Sequence, residues 1–326
     1  MKKTLLSMAP VPVEVLKSVV QLSPGGADVD VIAGHDMSAE DLAEAFAKAD
    51  VVLGDYTFKR GVGKALVARA GPLKLIQQPS VGYEHIDIQA CSERGIRVAN
   101  TPTANTVSVA EHAIALGLAL LRKLVPADRS VRDGRWAQTT LQPSELARKT
   151  WGLVGFGQIG RAVAHRLRPF GLTKVIYYDP RRSPKEVEEE YGVEYNPLPM
   201  LLRTSDIVSL HAPLTDSTRN MIGADELSSM KSSAYLINVA RGNLVDEAAL
   251  ADALREQVIA GAATDVFAEE PPGAGDPLLQ AQDENILFSP HIAGVSKESA
   301  RRIMMMAAEN IGRVLAGQDP LYVVNP

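Results

Sequence analysis

Short apolar runs alternate with amphipathic stretches along the first hundred residues of the chain. The short runs, rich in valine, leucine and isoleucine, fall at residues 4–8, 29–33, 51–53, 73–77 and 96–99. Helical periodicity fills the intervals, at residues 13–21, 39–48, 64–69 and 86–94. Strands that alternate with helices in this way predict a parallel sheet with helical crossovers.

The same alternation restarts at Trp151. Apolar runs fall at residues 151–154, 174–178, 207–210, 234–238, 261–266 and 286–289, and helical stretches at 158–169, 198–204, 247–256 and 297–316. Two such series predict two doubly wound α/β domains, each built on a parallel sheet. Residues 106–124 are too apolar for a surface helix, so we expect that helix to be buried between the two domains. The last helical stretch could return to the first domain.

The composition excludes several classes of protein. The 326 residues carry a net charge of −5 and contain no dense block of lysine and arginine, which argues against nucleic-acid binding. Cys91 is the only cysteine, so neither an internal disulfide nor a C-x-x-C motif can form. No two histidines stand at metal-ligand spacing, and we predict no metal site.

The first residues resemble a secretory signal only briefly. Their apolar run is broken by Pro10, Pro12 and Glu14, and no small-residue cleavage site follows. No apolar stretch approaches the ~20 residues that a membrane-spanning helix needs. We therefore interpret the first residues as a strand and expect a cytoplasmic protein without membrane partners.

A glycine-rich turn joins the first strand and the first helix of the second series. Gly155, Gly157 and Gly160 have the spacing G-x-G-x-x-G, which alone is weak evidence for a nucleotide site. Here a strand precedes the motif, a helix follows it, and the next strand ends in Asp179, about 20 residues further on. Such glycines allow a tight turn and the close approach of a pyrophosphate, and the helix N-terminus attracts the phosphates. The segment therefore predicts dinucleotide binding.

Asp179 bears on the choice between NAD and NADP. A carboxylate here can bind both ribose hydroxyls and would repel a 2′-phosphate, which favours NAD. Arg181 and Arg182 follow at once and could bind that phosphate, although such a pair is more often part of a solvated loop. We expect NAD, with NADP as the alternative.

Three later strands of the second series end in residues that can carry chemistry. Arg241 follows the first strand, Asp265, Glu269 and Glu270 the second, and His291 the third. Parallel strands bind ligands at their carboxyl ends, so we expect these side chains to converge. Arginine can hold a carboxylate, histidine can donate a proton near neutral pH, and an adjacent carboxylate favours the imidazolium and orients it. This set suits hydride transfer between a nicotinamide and a 2-oxo acid.

Each of these residues also has a plain structural interpretation. Arg241 could simply end a strand, His291 could cap the last helix, and the carboxylate role could fall to Glu269. His112, on the apolar helix, is more typical of an interior histidine, and His211 of the loop beside the cofactor.

The order of motifs resembles the D-isomer-specific 2-hydroxyacid dehydrogenase family nearly from end to end. The motifs are SVGYEHID (80–87), NTPTANTVSVAEHAIALGLALLR (100–122), GLVGFGQIG (152–160), LHAPLTDSTRNMI (210–222), NVARGNLVDEAAL (238–250), ATDVFAEEP (263–271) and SPHIAG (289–294). The resemblance implies a discontinuous flavodoxin-like substrate domain, residues 1–101 and 292–326, and a Rossmann NAD-binding domain, residues 102–291, with a cleft between them. Residues from about 103 to 150 would be a dimerisation arm, which implies a homodimer.

The resemblance also implies a role for each candidate residue. Arg241 would bind the carboxylate and carbonyl oxygen of the substrate, His291 would be the acid/base, and Glu270 its partner. The backbone of Val81 and Gly82 would hold the substrate carboxylate from the first domain. The implied cofactor contacts are Gly155, Gly157, Gln158, Ile159, Gly160, Asp179, His211, Val239, Ala240, Asp265 (at the nicotinamide carboxamide) and Gly294.

The implied activity is hydride transfer between NAD(H) and C2 of a small D-2-hydroxy acid or 2-oxo acid. Glyoxylate, hydroxypyruvate, pyruvate and larger 2-oxo acids all stay open as substrates. Side chains near Asp55, Tyr56 and Tyr83 are expected to shape the pocket, and Trp136 is a candidate to reach a partner subunit's site. Formate and phosphite dehydrogenases and NAD-sensing corepressors share the architecture and stay as alternatives. The combination of arginine, glutamate and histidine with SVGY argues against formate and phosphite dehydrogenases.

Overall fold

The computed structural model describes residues 2–23, 29–281 and 285–325. The chain forms two compact units. Unit 1 comprises Met1–Asn105 and Lys297–Pro326, and unit 2 comprises Thr106–Ser296. Each unit has its own parallel sheet and its own apolar core on both faces of that sheet.

The described residues contain strands and helices in regular alternation. The strands are β1 (Lys3–Ser7), β2 (Val29–Ala33), β3 (Val51–Leu53), β4 (Leu75–Gln77), β5 (Arg97–Ala99), β6 (Thr150–Val154), β7 (Lys174–Tyr178), β8 (Glu194–Tyr195), β9 (Ile207–Leu210), β10 (Tyr235–Asn238), β11 (Gly261–Thr264) and β12 (Ile286–Phe288). The helices are α1 (Val13–Leu22), α2 (Ala39–Lys48), α3 (Lys64–Val67), α4 (Ile88–Glu93), α5 (Thr106–Leu121), α6 (Leu124–Arg132), α7 (Gln158–Leu167), α8 (Lys185–Tyr191), α9 (Leu198–Thr204), α10 (Ala224–Ser229), α11 (Glu247–Arg255), α12 (Pro277–Gln280) and α13 (Lys297–Leu315). None of the helices in this described part is long and apolar enough to cross a membrane.

Unit 1 is a five-stranded parallel sheet covered on both faces. Its strand order is β2-β1-β3-β4-β5, the order of flavodoxin-like folds. Leu5 packs in the core that contains α1 and α13, whereas its neighbour Leu6 packs in the core on the opposite face, with Phe46 of α2. Because successive side chains of a strand point to opposite faces, a sheet covered on both sides needs continuous apolar runs.

Unit 2 is a seven-stranded parallel sheet. Its order is β12-β11-β10-β9-β6-β7-β8, in which β6, β7 and β8 run outward from the centre and β9 to β12 continue on the other side. This reversal beside the first strand is the order of the Rossmann fold. The predicted fold class, two doubly wound parallel-sheet domains, is confirmed.

Helix α5 buries eight of its 16 residues in the core of unit 2, and its burial between the two domains stays a prediction. It belongs to unit 2, where it packs against α7 and strands β10 and β11. The predicted helix over 106–124 is interrupted, because Lys123 adopts a left-handed backbone with φ of 54° and a second helix, α6, starts at Leu124. Helix α6 carries three charged residues and a proline in nine positions, so its apolar periodicity is too weak to predict it.

Candidate active site

The glycine-rich turn between β6 and α7 is shaped by contacts that a side chain would break. Gly155 has a φ of +96°, which side chains rarely adopt, and a Cβ there would lie 2.7 Å from the carbonyl carbon of His211. A Cβ on Gly160 would overlap the carbonyl oxygen of Gly155. Gly157, the N-cap of α7, borders space that no described atom fills within 4 Å. The turn is therefore tight, packed against its own helix and open at the helix N-terminus.

Asp179 lies directly after β7, beside the same turn. One carboxylate oxygen accepts a hydrogen bond from the N–H of Phe156 at 3.0 Å, and the other accepts one from the N–H of Arg181 at 3.2 Å. Each oxygen keeps a lone pair for a further donor. The N-terminus of α7 and this carboxylate together fit the phosphates and the ribose of a dinucleotide.

The two arginines after Asp179 are in different surroundings. Arg182 forms two 2.8 Å hydrogen bonds with the buried carboxylate of Glu188, which also accepts one from the hydroxyl of Tyr177 at 2.7 Å. The hydrogen bonds from Arg182 hold the pKa of Glu188 below its usual value. Arg181 is exposed, and the side chain of Arg182 is itself 61% exposed. Both arginines therefore lie in a solvent-exposed loop, where Arg182 is anchored by its ion pair with Glu188.

His211 follows β9, and its backbone lies against Gly155. Its Nε2 lies 2.8 Å from the hydroxyl of Ser209, which also accepts a hydrogen bond from the indole N–H of Trp151 at 2.8 Å. Burial lowers the pKa of His211 to about 3, so the ring is neutral at neutral pH. His211 thus borders the glycine turn as an uncharged group.

The loops after β10, β11 and β12 lie side by side, because these three parallel strands are neighbours in the sheet. They carry Arg241, Asp265 and His291 at one carboxyl edge of unit 2. Glu270 comes from the same loop as Asp265. The structure therefore brings together residues that lie far apart in the sequence.

His291 and Glu270 are in direct polar contact. The Nδ1 atom of His291 lies 2.6 Å from one carboxylate oxygen of Glu270, and the other oxygen accepts a hydrogen bond from the N–H of Phe267 at 3.0 Å. Burial raises the pKa of Glu270, but the hydrogen bonds from His291 and Phe267 and the positive charge of Arg241 outweigh it, so the net pKa is lowered. The carboxylate is therefore ionised at neutral pH.

Arg241 is held against its own loop. Its carbonyl oxygen accepts a hydrogen bond from the side-chain amide of Asn238 at 2.9 Å, and its guanidinium donates one to the carbonyl of Ala240 at 2.7 Å. Its positive charge lowers the pKa of Glu270 further, after the larger effects of His291 and Phe267. A cation, a carboxylate and an imidazole thus share one electrostatic environment.

Asp265 holds the loop that carries His291. Its fully buried carboxylate accepts hydrogen bonds from the N–H groups of Ile292 at 2.9 Å and Ala293 at 2.7 Å, and from the hydroxyl of Ser289 at 2.5 Å. Its backbone carbonyl accepts one from the N–H of His291 at 2.7 Å. Ser289 was not singled out by the sequence, because a serine before a proline in a loop carries no distinctive pattern.

Val81 and Gly82 follow β4 in unit 1. The carbonyl of Val81 accepts a hydrogen bond from the side-chain amide of Asn100 at 2.8 Å, and that of Gly82 accepts one from the hydroxyl of Ser80 at 2.7 Å. The loop is therefore fixed by its own polar contacts.

The remaining predicted cofactor residues occupy three segments of unit 2. Gln158 and Ile159 begin α7, Val239 and Ala240 follow β10, and Gly294 follows the loop of His291. All three segments lie at carboxyl ends of strands.

The chain matches a family model and curated relatives. The model of the D-isomer specific 2-hydroxyacid dehydrogenase NAD binding domain matches residues 114–293. A glyoxylate reductase of Korarchaeum cryptofilum is 44% identical over 80% of this chain and 79% of its own. A hydroxypyruvate reductase of Thermotoga maritima is 36% identical over 92% of this chain and 95% of its own.

Solved structures agree with this assignment. D-lactate dehydrogenase from Aquifex aeolicus, complexed with NAD and lactic acid, has a TM-score of 0.85 at 28% identity and covers 97% of this chain and 96% of its own. An acyclic imino acid reductase in complex with NADPH and D-Arg has a TM-score of 0.85 at 30% identity, over 99% of this chain and 100% of its own. The chain belongs to the D-isomer specific 2-hydroxyacid dehydrogenases, enzymes that transfer a hydride between a nicotinamide dinucleotide and a 2-hydroxy or 2-oxo acid.

Proposed function

We propose that Arg241, Glu270 and His291 catalyse the reduction of a small 2-oxo acid to the D-2-hydroxy acid, and the reverse oxidation. The observation that carries this proposal is the 2.6 Å contact between Nδ1 of His291 and Glu270, within reach of the charge of Arg241. An acid–base residue, a carboxylate that orients it and a fixed cation are the groups that this reaction needs.

Each side chain has one task in the reduction. The planar cation of Arg241 binds the substrate carboxylate and polarises the carbonyl oxygen. Glu270 accepts the Nδ1 hydrogen of His291 and stabilises the imidazolium, which donates its Nε2 proton to the carbonyl oxygen. A reduced nicotinamide dinucleotide, when bound, supplies the hydride to C2. In the oxidative direction neutral His291 takes the hydroxyl proton back.

The loop of Val81 and Gly82 is assigned to the substrate as well. Hydrogen bonds to Asn100 and Ser80 engage its carbonyl groups and so orient the peptide units. Backbone N–H groups held in this way are suited to a carboxylate. With this assignment, residues 1–101 and 292–326 form the substrate domain and residues 102–291 the NAD-binding domain.

The cofactor contacts are assigned to the carboxyl edge of unit 2. The first turn of α7, including Gln158 and Ile159, would meet the pyrophosphate, and Asp179 the ribose hydroxyls. We propose NAD as the preferred cofactor, because Asp179 would repel a 2′-phosphate and Arg182 is already paired with Glu188.

Glyoxylate and hydroxypyruvate are the proposed substrates. The names of the Korarchaeum and Thermotoga relatives support this choice, at 44% and 36% identity. The test follows the absorbance of NADH and NADPH with a panel of glyoxylate, hydroxypyruvate, pyruvate and longer 2-oxo acids. We expect the highest kcat/KM for the first two with NADH. Formate-dependent NAD reduction without 2-oxo acid turnover would contradict the proposal.

A cytoplasmic homodimer is the proposed assembly. Its support is a group of exposed apolar side chains within residues 103–150, which we call the arm surface: Val107, Leu124, Val125, Val131 and Trp136. Exposed apolar side chains that cluster in one segment mark protein–protein contacts.

A further inference from the structure

A polar chain runs from helix α5 to the loop of His291. The Nε2 atom of His112, on α5, lies 2.9 Å from the hydroxyl oxygen of Ser289. That hydroxyl lies 2.5 Å from Oδ1 of Asp265, and the same oxygen is 3.7 Å from Nε2 of His112. The three side chains come from α5, from the loop after β12 and from the loop after β11, and all of them belong to unit 2.

The directions of these hydrogen bonds follow from the donors that are present. A serine hydroxyl has one hydrogen, and the fully buried carboxylate of Asp265 can only accept. The hydroxyl of Ser289 therefore donates to Asp265 and accepts from Nε2–H of His112. His112 is thus the donor at the start of the chain.

The end of the chain fixes the backbone at His291. Asp265 accepts from the N–H groups of Ile292 and Ala293 through its carboxylate, and from that of His291 through its carbonyl. His291 itself has a φ of 54°, a left-handed conformation that is unfavourable in a residue other than glycine. Such a conformation persists only where its surroundings determine it, and here those surroundings are the hydrogen bonds to Asp265.

We propose that His112 is a positioning residue for His291, acting through the hydroxyl of Ser289 and the carboxylate of Asp265. The inference rests on the proposed role of His291 as the proton donor. In this chain of contacts His112 reaches the loop of His291 through Ser289 and Asp265, so its effect falls on the placement of the imidazole. Without the Nε2–H donor, Ser289 can turn away from Asp265 and the loop loses one of its restraints.

Two substitutions of His112 separate a positioning role from a packing role. His112→Leu fills a similar volume but removes the hydrogen-bond donor. His112→Gln keeps an N–H donor near the position of Nε2. We expect His112→Leu to lower kcat about tenfold, the effect of one lost hydrogen bond in a site that demands precise placement, with KM for the 2-oxo acid nearly unchanged. His112→Gln should recover most of kcat. His165→Gln, on the exposed face of α7, is the matched control and should leave kcat unchanged.

A double-mutant cycle tests the route through Ser289. If His112 acts through that hydroxyl, Ser289→Ala should lower kcat as much as His112→Leu, and the double variant no further. Additive losses, or parental kcat in His112→Leu, would overturn the inference. Should His112→Leu fail to fold, the cycle of His112→Gln with Ser289→Ala applies the same test: no effect of Ser289→Ala overturns the inference.

His291→Ala distinguishes this inference from the proposed function on which it rests. If His291→Ala keeps parental turnover, the proposed role of His291 is wrong. If His291→Ala is inactive while His112→Leu turns over normally, only the positioning role of His112 is wrong. Thermal unfolding of each variant shows whether a lower kcat follows from lost stability instead, which would also count against positioning.

Discussion

If His291 is the proton donor, as proposed, the two directions of the reaction should depend on pH in opposite ways, and Glu270 should set the pH range. Glu270→Gln keeps a hydrogen-bonding group but removes the charge that favours the imidazolium. In this proposal reduction needs protonated His291. As the pH rises, the rate of reduction should therefore begin to fall at a lower pH in the variant than in the parent. Oxidation needs neutral His291 and should suffer less at mildly acidic pH. Profiles of kcat/KM against pH in both directions measure this difference.

The neighbouring glutamate provides the control for that prediction. Glu269→Gln removes the same charge one residue earlier and should leave both profiles unchanged. If Glu269→Gln moves the profiles and Glu270→Gln does not, the partner of His291 is assigned to the wrong residue. Because the pKa of Glu270 is lowered in the folded protein, its contribution to stability is present above the unfolded-state value and is lost as pH falls through the folded one.

Asp179 should control the choice of cofactor. Asp179→Ser removes the repulsion of a 2′-phosphate while keeping a hydroxyl that can bind the ribose. The ratio of kcat/KM with NADPH to that with NADH should rise by about 10- to 100-fold, the range of hydrogen bonds to charged groups. Measuring kcat/KM with NADPH and with NADH for the parent and for the variant checks this expectation.

The two arginines separate the sources of that gain. Arg181 is exposed, whereas Arg182 is paired with Glu188, so only Arg181→Ala should reduce the gain made by Asp179→Ser. If only Arg182→Ala reduces the gain in NADPH preference, the ion pair between Arg182 and Glu188 must open to bind the 2′-phosphate. Preference of the parent protein for NADPH would contradict the role of Asp179 itself.

Single residues of the site differ in how far the sequence could reveal them. Arg241, Asp265 and His291 each follow an apolar strand, so a parallel sheet predicts that they meet at one edge. The partner of His112 could not be predicted, since Ser289 is remote in the sequence and no sequence pattern links the two motifs that contain these residues. The two arginines after Asp179 look alike in sequence, and only the fold shows that Glu188 engages one of them.

At the scale of elements, the turn between β6 and α7 depends on close packing at Gly160. A Cβ there would overlap the carbonyl oxygen of Gly155, so Gly160→Ala must move the helix away from the strand. Overpacking of this kind costs about 1–3 kcal/mol of stability. We expect a lower melting temperature and weaker NADH binding, measured by thermal unfolding and by NADH fluorescence.

Gly273→Ala is the matched control for this substitution. A Cβ at Gly273 meets no described atom within 4 Å, and the residue is exposed. Both melting temperature and NADH affinity should stay at parental values. Parental behaviour of Gly160→Ala would show that the turn tolerates the extra atom and that its close packing is not required.

Elements with a strong apolar period were predictable, and short charged ones were not. Helix α7 was predicted from residues 158–169 and ends two residues earlier, at Leu167, before a 3-10 turn that contains Pro169. Helix α8, KEVEEEY, was missed because six of its seven residues are charged or aromatic. Val187 and Tyr191 pack against the core of unit 2. Local periodicity cannot reveal a short helix that is stabilised by tertiary packing.

At the scale of the whole molecule, each sheet was predictable because both of its faces are covered. Apolar runs such as Val51–Leu53 have no polar face. A parallel sheet between two helical layers requires such strands, because both of its faces are buried. The return of α13 to unit 1 was open in the sequence, because nothing in an amphipathic helix states which sheet it will cover. In the structure α13 contacts α1, β3 and β4, so it covers the sheet of unit 1.

The arm surface predicts a homodimer in solution. Trp136 and Val131 expose 79% and 59% of their area, and apolar groups of this size are stabilised by contact with a second copy. Light scattering at micromolar concentration should give twice the 35.0 kDa of one chain. Val131→Asp places a charge on the arm surface and should yield monomers, because an unpaired charge is costly to bury. Leu22→Asp, at a leucine of unit 1 that is 86% exposed, should stay dimeric. A mass of the parent protein near that of one chain would contradict the assembly.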